Sequence, residues 1–123
     1  MIIRAGYGVG DVDLQFRKRA QKCCDRGDLL QIYWLSYAYT TEMAEEEARA
    51  CVETIEEFPV EFPIYFLFTY DSRRYAESKG VIVTKELILD MANAFCRKAM
   101  EMGYEAASLI HVDKYEKDIF KES

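Results

Sequence analysis

The sequence predicts a single α/β domain with a four-stranded parallel sheet. Short apolar runs, rich in β-branched and aromatic residues, alternate along the chain with segments whose apolar residues recur every three or four positions. The 123 residues contain no internal repeat and no low-complexity linker, which suits one domain of this length. Strands that alternate with helices favour parallel βαβ units with right-handed crossovers.

The first third of the chain predicts a strand, a helix and a second strand. MIIRAGYG is the first strand, and the helix after it carries a four-residue apolar repeat: Val12, Phe16, Ala20 and Cys24. Gly27 stands where helices commonly end, and the run 29–39 is too aromatic for an ordinary helix, so it is the second strand. The glycines of GYGVG (6–10) lack the spacing of a dinucleotide or P-loop motif and predict a tight turn.

The remainder predicts two longer helices and two strands. Thr40 or Thr41 caps a helix that ends before Pro59 and buries one stripe: Ala44, Ala48, Cys51, Val52 and Ile55. The third strand covers 62–70 and is followed by an irregular loop from Asp71 to Val83, where binding residues commonly lie. The second of the two longer helices begins after Thr84 and ends at Gly103. It precedes the fourth strand at 106–112, and a short polar helix or a frayed tail ends the chain.

Composition excludes several classes of function. A net charge of −6 argues against a nucleic-acid surface, and the basic segment RKRAQK (17–22) predicts the solvated face of a helix. The longest apolar runs have strand length and no leader is apparent, so we expect a soluble protein without signal peptide or membrane contact, from cytoplasmic or recombinant expression. The four cysteines show no zinc or disulfide spacing and are expected to be reduced thiols; no metal or cofactor is predicted.

Candidate site residues lie near the ends of the predicted strands. Asp71 with Glu77, or with Asp113, would supply the two carboxylates of a glycoside hydrolase, although sequence spacing leaves their separation open and solvated loop acids are the alternative. His111 follows the last strand without a recognisable nucleophile. Aromatic side chains of the second and third strands predict a sugar-stacking groove or, equally, core packing: Tyr33, Trp34, Tyr37, Tyr39, Tyr65 and Tyr70.

Several segments, in order, resemble the lysozymes of glycoside hydrolase family 25, muramidases that cut peptidoglycan. They are IIRAGYG, QFRKRAQKC, IYWLSYAYTTEMAEEEARACVETIE, FPIYF and VTKELILDMANAFCRKAMEMGY. The resemblance covers residues 2 to about 115 and implies an irregular β/α barrel with its site at the C-terminal ends of the strands. It also implies that this chain corresponds to about half of such a barrel, from the second strand to the fifth.

The resemblance breaks at the catalytic positions. In the family, the strand that reads FPIYF here continues as Asp-x-Glu, and the two matching positions are Leu67 and Thr69. Neither side chain can act as a general acid or support one. Departures at 28–31 and 105–111 also replace family site residues with apolar or strand-favouring ones. The sequence therefore indicates a protein without catalytic acids.

These observations lead to one hypothesis and its alternatives. We expect an engineered structural protein, a redesigned barrel fragment without catalytic activity. A residual peptidoglycan- or carbohydrate-binding module using Tyr33, Trp34, Tyr37, Tyr65 and Asp71 is the alternative, as is a weakly active muramidase. Half a barrel leaves a sheet face and its edges uncovered, which predicts a homodimer; flattening into a doubly wound sheet would be the other solution.

Overall fold

The structure, a computed structural model, describes residues 2–112. Within this range the chain forms five strands and four helices. The strands are β1 (Ile2–Tyr7), β2 (Asp11–Val12), β3 (Gln31–Leu35), β4 (Ile64–Thr69) and β5 (Ala106–His111). The helices are α1 (Phe16–Asp25), α2 (Thr41–Ile55), α3 (Tyr70–Ser78) and α4 (Lys85–Glu101). The predicted α/β class is confirmed, whereas the predicted tail and Asp113 lie outside the described residues.

The strands form one sheet in the order β2-β1-β3-β4-β5. Strands β1, β3, β4 and β5 are parallel, as the βαβ pattern predicted, and they are neighbours in chain order, which the sequence had left open. A doubly wound sheet would instead reverse its strand order at a switch point, so the flattened alternative does not describe this topology. The prediction of a four-stranded, wholly parallel sheet is wrong because β2 adds a fifth strand, antiparallel to β1.

The extra strand arises from the glycines of the first turn. Gly8 and Gly10 have φ of +62° and +97°, values that glycine adopts without steric cost. The chain therefore reverses tightly after β1, and Val12 pairs with Gly6 instead of starting a helix. The GYGVG segment is the tight turn predicted for it, but the first helix begins later than expected, at Phe16.

One hydrophobic core lies between the helices and one face of the sheet. On the strands it is formed by alternate residues: Ile3, Ala5, Ile32, Trp34, Ile64, Phe66 and Phe68. On α2 the predicted stripe is buried throughout, from Ala44 to Ile55, and Thr40 caps this helix by accepting a hydrogen bond from Met43 N. Thr84 caps α4 in the same way, through Leu87 N. These caps and apolar repeats are the local signals that the sequence carries most clearly.

The opposite side of the sheet, the second face, contributes nothing to that core cluster among the described residues. On this face, residues of the same type lie side by side on neighbouring strands: Tyr33 of β3 pairs with Tyr65 of β4, and Leu35 pairs with Leu67. Leu109 extends the leucine row to β5. The second face includes Arg4, Tyr33, Leu35, Tyr65, Leu67, Ala107 and Leu109.

The segment after β4 is a helix, so the prediction of a long irregular loop from Asp71 to Val83 is wrong over most of its length. Thr69 accepts a hydrogen bond from Ser72 N, and the Ser72 hydroxyl accepts one from Thr69 N at 2.9 Å. This reciprocal cap starts α3 directly at the strand end. Glu77 supports the helix through ion pairs with Arg73 and Arg74, at i−4 and i−3.

Candidate functional site: a tyrosine-lined pocket

A pocket opens at the C-terminal edge of the sheet. Its volume is about 420 Å³, within the range of small-molecule sites. The lining consists of Tyr7, Gly8, Val9, Asp11, Tyr37, Met43 and Tyr75. Ligand sites of parallel α/β sheets lie at this edge, because the loops after the strands converge there.

Three elements bring the tyrosines together. Tyr7 ends β1, Tyr37 follows β3, and Tyr75 lies on α3. The ring centroids of Tyr7 and Tyr37 are 6.1 Å apart, those of Tyr37 and Tyr75 are 5.3 Å apart, and both pairs meet edge to face. Tyr39 extends the cluster, 6.4 Å from Tyr75. Edge-to-face packing holds the rings in defined orientations and leaves part of their faces to the pocket.

Charged groups surround these rings. The Arg4 guanidinium lies 5.3 Å from the centroid of Tyr7, and the Lys79 ammonium lies 5.3 Å from that of Tyr75. Burial, reinforced by the negative charge of Asp71, raises the pKa of Tyr37 above its usual value. The hydroxyl of Tyr37 is therefore a neutral hydrogen-bond donor and acceptor over the whole physiological range.

A buried glutamate lies behind the pocket wall. Glu47 lies on α2 and is 0% exposed. One of its carboxylate oxygens accepts a hydrogen bond from Ser36 Oγ at 2.7 Å, and the other accepts one from Tyr37 N at 2.8 Å. Burial raises the pKa of Glu47 to about 7, against the opposing effect of these hydrogen bonds. A raised pKa often marks a catalytic acid, but this carboxyl group has no open path to a ligand and both of its oxygens are engaged.

The structure divides the predicted carbohydrate-binding residues among three places. Tyr37 lines the pocket, and Asp71 lies near enough to affect its ionisation. Tyr33 and Tyr65 are neighbours on the second face, half-buried and outside the pocket lining. Trp34 is 0% exposed in the core, where its indole N–H donates to Gly8 O at 2.8 Å. Since no face of the Trp34 ring reaches the surface, this residue cannot stack on a sugar.

Leu67 and Thr69, the two positions at which the resemblance would place Asp-x-Glu, lie at the end of β4. Leu67 is 5% exposed, in a row with Leu35 and Leu109 on the second face. Thr69 is 9% exposed and its hydroxyl caps α3. Both side chains thus have structural roles: one packs in an apolar row, and the other begins a helix.

The other candidate acids do not converge. Asp71 and Glu77 are six residues apart on α3, which puts them about 120° apart around the helix axis. Glu77 is paired with two arginines. His111 ends β5 beside Thr69, and its proposed neighbour Asp113 lies outside the described residues. Among the described residues, Asp11 is the one acid in the pocket lining.

Of the seven residues that line the pocket, only Tyr37 was predicted as a site residue; Tyr7, Tyr75 and the acid Asp11 were missed, as was Glu47 behind them. Tyr7 belongs to the glycine-rich turn and Tyr75 to the segment expected to be irregular, so neither stood out. Glu47 lies three residues after Ala44 and four before Cys51, inside the buried stripe of α2. An acidic residue at a core position of an amphipathic helix is a signal that could have indicated a buried, hydrogen-bonded carboxyl group.

No cluster of metal-ligating side chains is evident in the part of the chain that the structure describes. No group of three histidine, cysteine, aspartate or glutamate side chains between residues 2 and 112 is placed to hold a metal ion. The four cysteines are free, and Cys23 and Cys51 are buried. None of the helices in this range combines the length and apolar character needed to cross a membrane.

Comparison with known proteins gives a match at the level of the fold. No family model and no curated protein matches the chain. Two solved structures match: the modular autolysin LytC from Streptococcus pneumoniae, with a TM-score of 0.72, and the same autolysin in complex with a synthetic peptidoglycan ligand, with a TM-score of 0.70. Each match has 20% sequence identity and covers 89% of this chain but 25% of the autolysin chain.

These matches establish the class of fold. The protein has an α/β fold similar to part of an autolysin, as the resemblance to lysozymes implied. The chain spans a quarter of the length of the autolysin chains that it matches.

Proposed function

We propose that the protein binds a glycan of the peptidoglycan type in the tyrosine-lined pocket and does not cleave it. The observation that carries this proposal is the cluster of Tyr7, Tyr37 and Tyr75 around a pocket of about 420 Å³ at the C-terminal edge of the sheet. Aromatic faces pack against the C–H faces of sugar rings, while the tyrosine hydroxyls and Asp11 offer partners for sugar hydroxyls. The solved autolysin complex with a peptidoglycan ligand supports this choice of ligand class.

The absence of catalysis is part of the proposal. Glycoside hydrolysis needs an acid of raised pKa and a second carboxylate, about 5 to 9.5 Å apart across the scissile bond. Leu67 and Thr69 stand at the positions where the resemblance would place such a pair. The one acid near the pocket whose pKa is raised, Glu47, is enclosed in the core.

A titration tests binding. Chitooligosaccharides and muropeptide fragments are added to ¹⁵N-labelled protein, and chemical-shift changes are followed for the pocket residues. We expect saturable shifts at millimolar or lower ligand, and at least a tenfold loss of affinity in Tyr37→Ala. Tyr33→Ala, on the second face, is the comparison: a loss of affinity there, with Tyr37→Ala unaffected, would transfer the site to the second face. No shifts at millimolar ligand would contradict glycan binding.

A turbidity assay on bacterial cell walls tests the lack of catalysis. We expect no clearing above a buffer control. Clearing that disappears in Asp71→Asn or Asp11→Asn would support the weakly active muramidase instead, since the charge of Asp71 affects the ionisation of Tyr37 and Asp11 lies in the pocket lining.

The hypothesis of an engineered structural fragment remains the alternative. Leu67 favours it, because this residue completes an apolar row in place of an acid. A protein of that kind would bind no glycan and would clear no cell walls, so the same two assays separate the alternatives.

We also propose that the second face joins two copies of the chain. The face carries partly exposed residues outside the core cluster, Tyr33, Leu35, Tyr65 and Leu109, whereas Leu67 in the same row is already buried within one copy. One two-fold axis would cover the partly exposed residues of both copies. Light scattering should give twice the chain mass. A charged substitution at the partly buried Leu109, such as Leu109→Glu, should return the protein to a monomer; a monomeric wild type would contradict the proposal.

A further inference from the structure

We infer that Glu47 is a positioning residue of the pocket, which holds Tyr37 in place through the main chain. This inference rests on the proposed function, because it concerns the same pocket. Glu47 does not line the pocket and cannot touch a ligand there. It acts instead on the segment that carries Tyr37 away from the end of β3.

The backbone of that segment depends on Glu47. Beyond the last residue of β3, Ser36 N still donates to Leu67 O at 2.8 Å on the neighbouring strand. Tyr37 N has no strand partner and donates to Glu47 instead, at 2.8 Å. Ala38 N donates to Ser36 Oγ at 3.1 Å, and the same hydroxyl donates to Glu47. One buried carboxyl group therefore organises the first two backbone N–H groups that lie outside the sheet.

This arrangement couples the core to the tyrosine cluster. Glu47 and Met43 are four residues apart on α2, so they lie on the same side of this helix, and Met43 lines the pocket. Tyr37 is the central ring of the cluster, in contact with both Tyr7 and Tyr75. A displaced Tyr37 backbone would therefore disturb both ring contacts and the pocket between them.

Two substitutions separate positioning from simple stability. Glu47→Gln keeps an acceptor for Tyr37 N and supplies a donor for Ser36 Oγ, so the network survives without the charge. Glu47→Leu keeps a similar volume but leaves Tyr37 N unsatisfied. Glu46, exposed on the same helix, gives the matched controls Glu46→Gln and Glu46→Leu.

The readouts are ring contacts and affinity. In NMR spectra we expect wild type, Glu47→Gln and both Glu46 variants to retain cross-peaks between the rings of Tyr37 and Tyr75, and to bind chitooligosaccharides within twofold of one another. Glu47→Leu should remain cooperatively folded, lose these cross-peaks and bind at least tenfold more weakly. A folded Glu47→Leu protein with wild-type cross-peaks and affinity would overturn the inference.

Hydrogen exchange gives a measurement that needs neither a ligand nor Glu47→Leu. The Tyr37 amide should be protected in wild type and in Glu47→Gln, although it lies outside the sheet. Rapid exchange at this amide in wild type would overturn the inference even if Glu47→Leu fails to fold. If wild type binds no glycan, the proposed function fails, while the cross-peaks and the Tyr37 exchange rate still decide whether Glu47 positions the ring.

Discussion

Replacing Glu47 by glutamine should change how the stability of the protein depends on pH. The carboxyl group is 0% exposed, and burial raises its pKa from 4.5 to about 7. A raised pKa means that the folded state binds the proton more tightly than the unfolded chain does. The contribution of Glu47 to the stability of wild type is therefore fully present below pH 4.5, and it is lost as the pH rises through about 7.

The size of the effect follows from the shift. Each unit corresponds to about 1.4 kcal/mol, so a shift from 4.5 to about 7 amounts to about 3 kcal/mol between the two limits. Glutamine has no charge to bury and can keep both hydrogen bonds. The free energy of unfolding of Glu47→Gln, relative to wild type, should therefore rise by about 3 kcal/mol from below pH 4.5 to above pH 7.

Urea unfolding followed by circular dichroism, at half-unit steps from pH 3.5 to 8.5, measures this difference. Comparing the variant with wild type at each pH cancels the contributions of the other titrating groups. Glu46→Gln, at an exposed position on the same helix, is the matched control for removing one carboxylate from α2. A wild-type-to-Glu47→Gln difference that is constant with pH would refute the assignment of a buried, titrating carboxyl group.

Three further substitutions or probes test the packing. A Cβ added at Gly6 would lie 2.5 Å from the ring of Trp34, so Gly6→Ala should lower the free energy of unfolding, measured in urea, by at least about 2 kcal/mol. Gly27→Ala is the control: its φ is +76° but its surroundings are open, so it should lower that free energy by about 1 kcal/mol. Equal losses in the two variants would contradict the close approach of Gly6 and Trp34. Leu67→Asp should cost about 3 kcal/mol at pH 7 and less at pH 4, where the carboxylate is protonated; a pH-independent cost would argue against burial. Trp34 fluorescence should be blue-shifted and resistant to iodide until the protein is unfolded, and ready quenching of the native state would contradict its place in the core.

The local signals of the sequence were sufficient for most of the fold. Thr40 and Thr84 cap the helices that they were predicted to cap, and the apolar stripe of α2 is buried as expected. These features depend on residues close together in the chain, whose hydrogen bonds and helical periodicity are readable without tertiary structure. The parallel direction of β1, β3, β4 and β5 follows from the alternation of strands and helices, whereas their order in the sheet was left open by the sequence.

The errors lie where short-range signals compete. Val12 fits the four-residue repeat of a helix, but the glycine turn before it brings it back against β1. The segment after β4 is rich in charged residues and was expected to be irregular, yet Thr69 and Ser72 form a reciprocal cap and Ala76 is buried. In each case a contact with a neighbouring element decided between two local possibilities.

The sequence by itself determined the α/β class and the helix caps, because these are properties of residue identity and local spacing. Only the tertiary structure decided which aromatic residues share a site. It places Trp34 in the core and unites Tyr7, Tyr37 and Tyr75, which are separated by 30 and 38 positions. Side chains so far apart in the chain meet only once the strand ends are aligned. Glu47 likewise depends on tertiary structure, because the backbone N–H that it accepts a hydrogen bond from belongs to Tyr37, ten residues earlier in the chain.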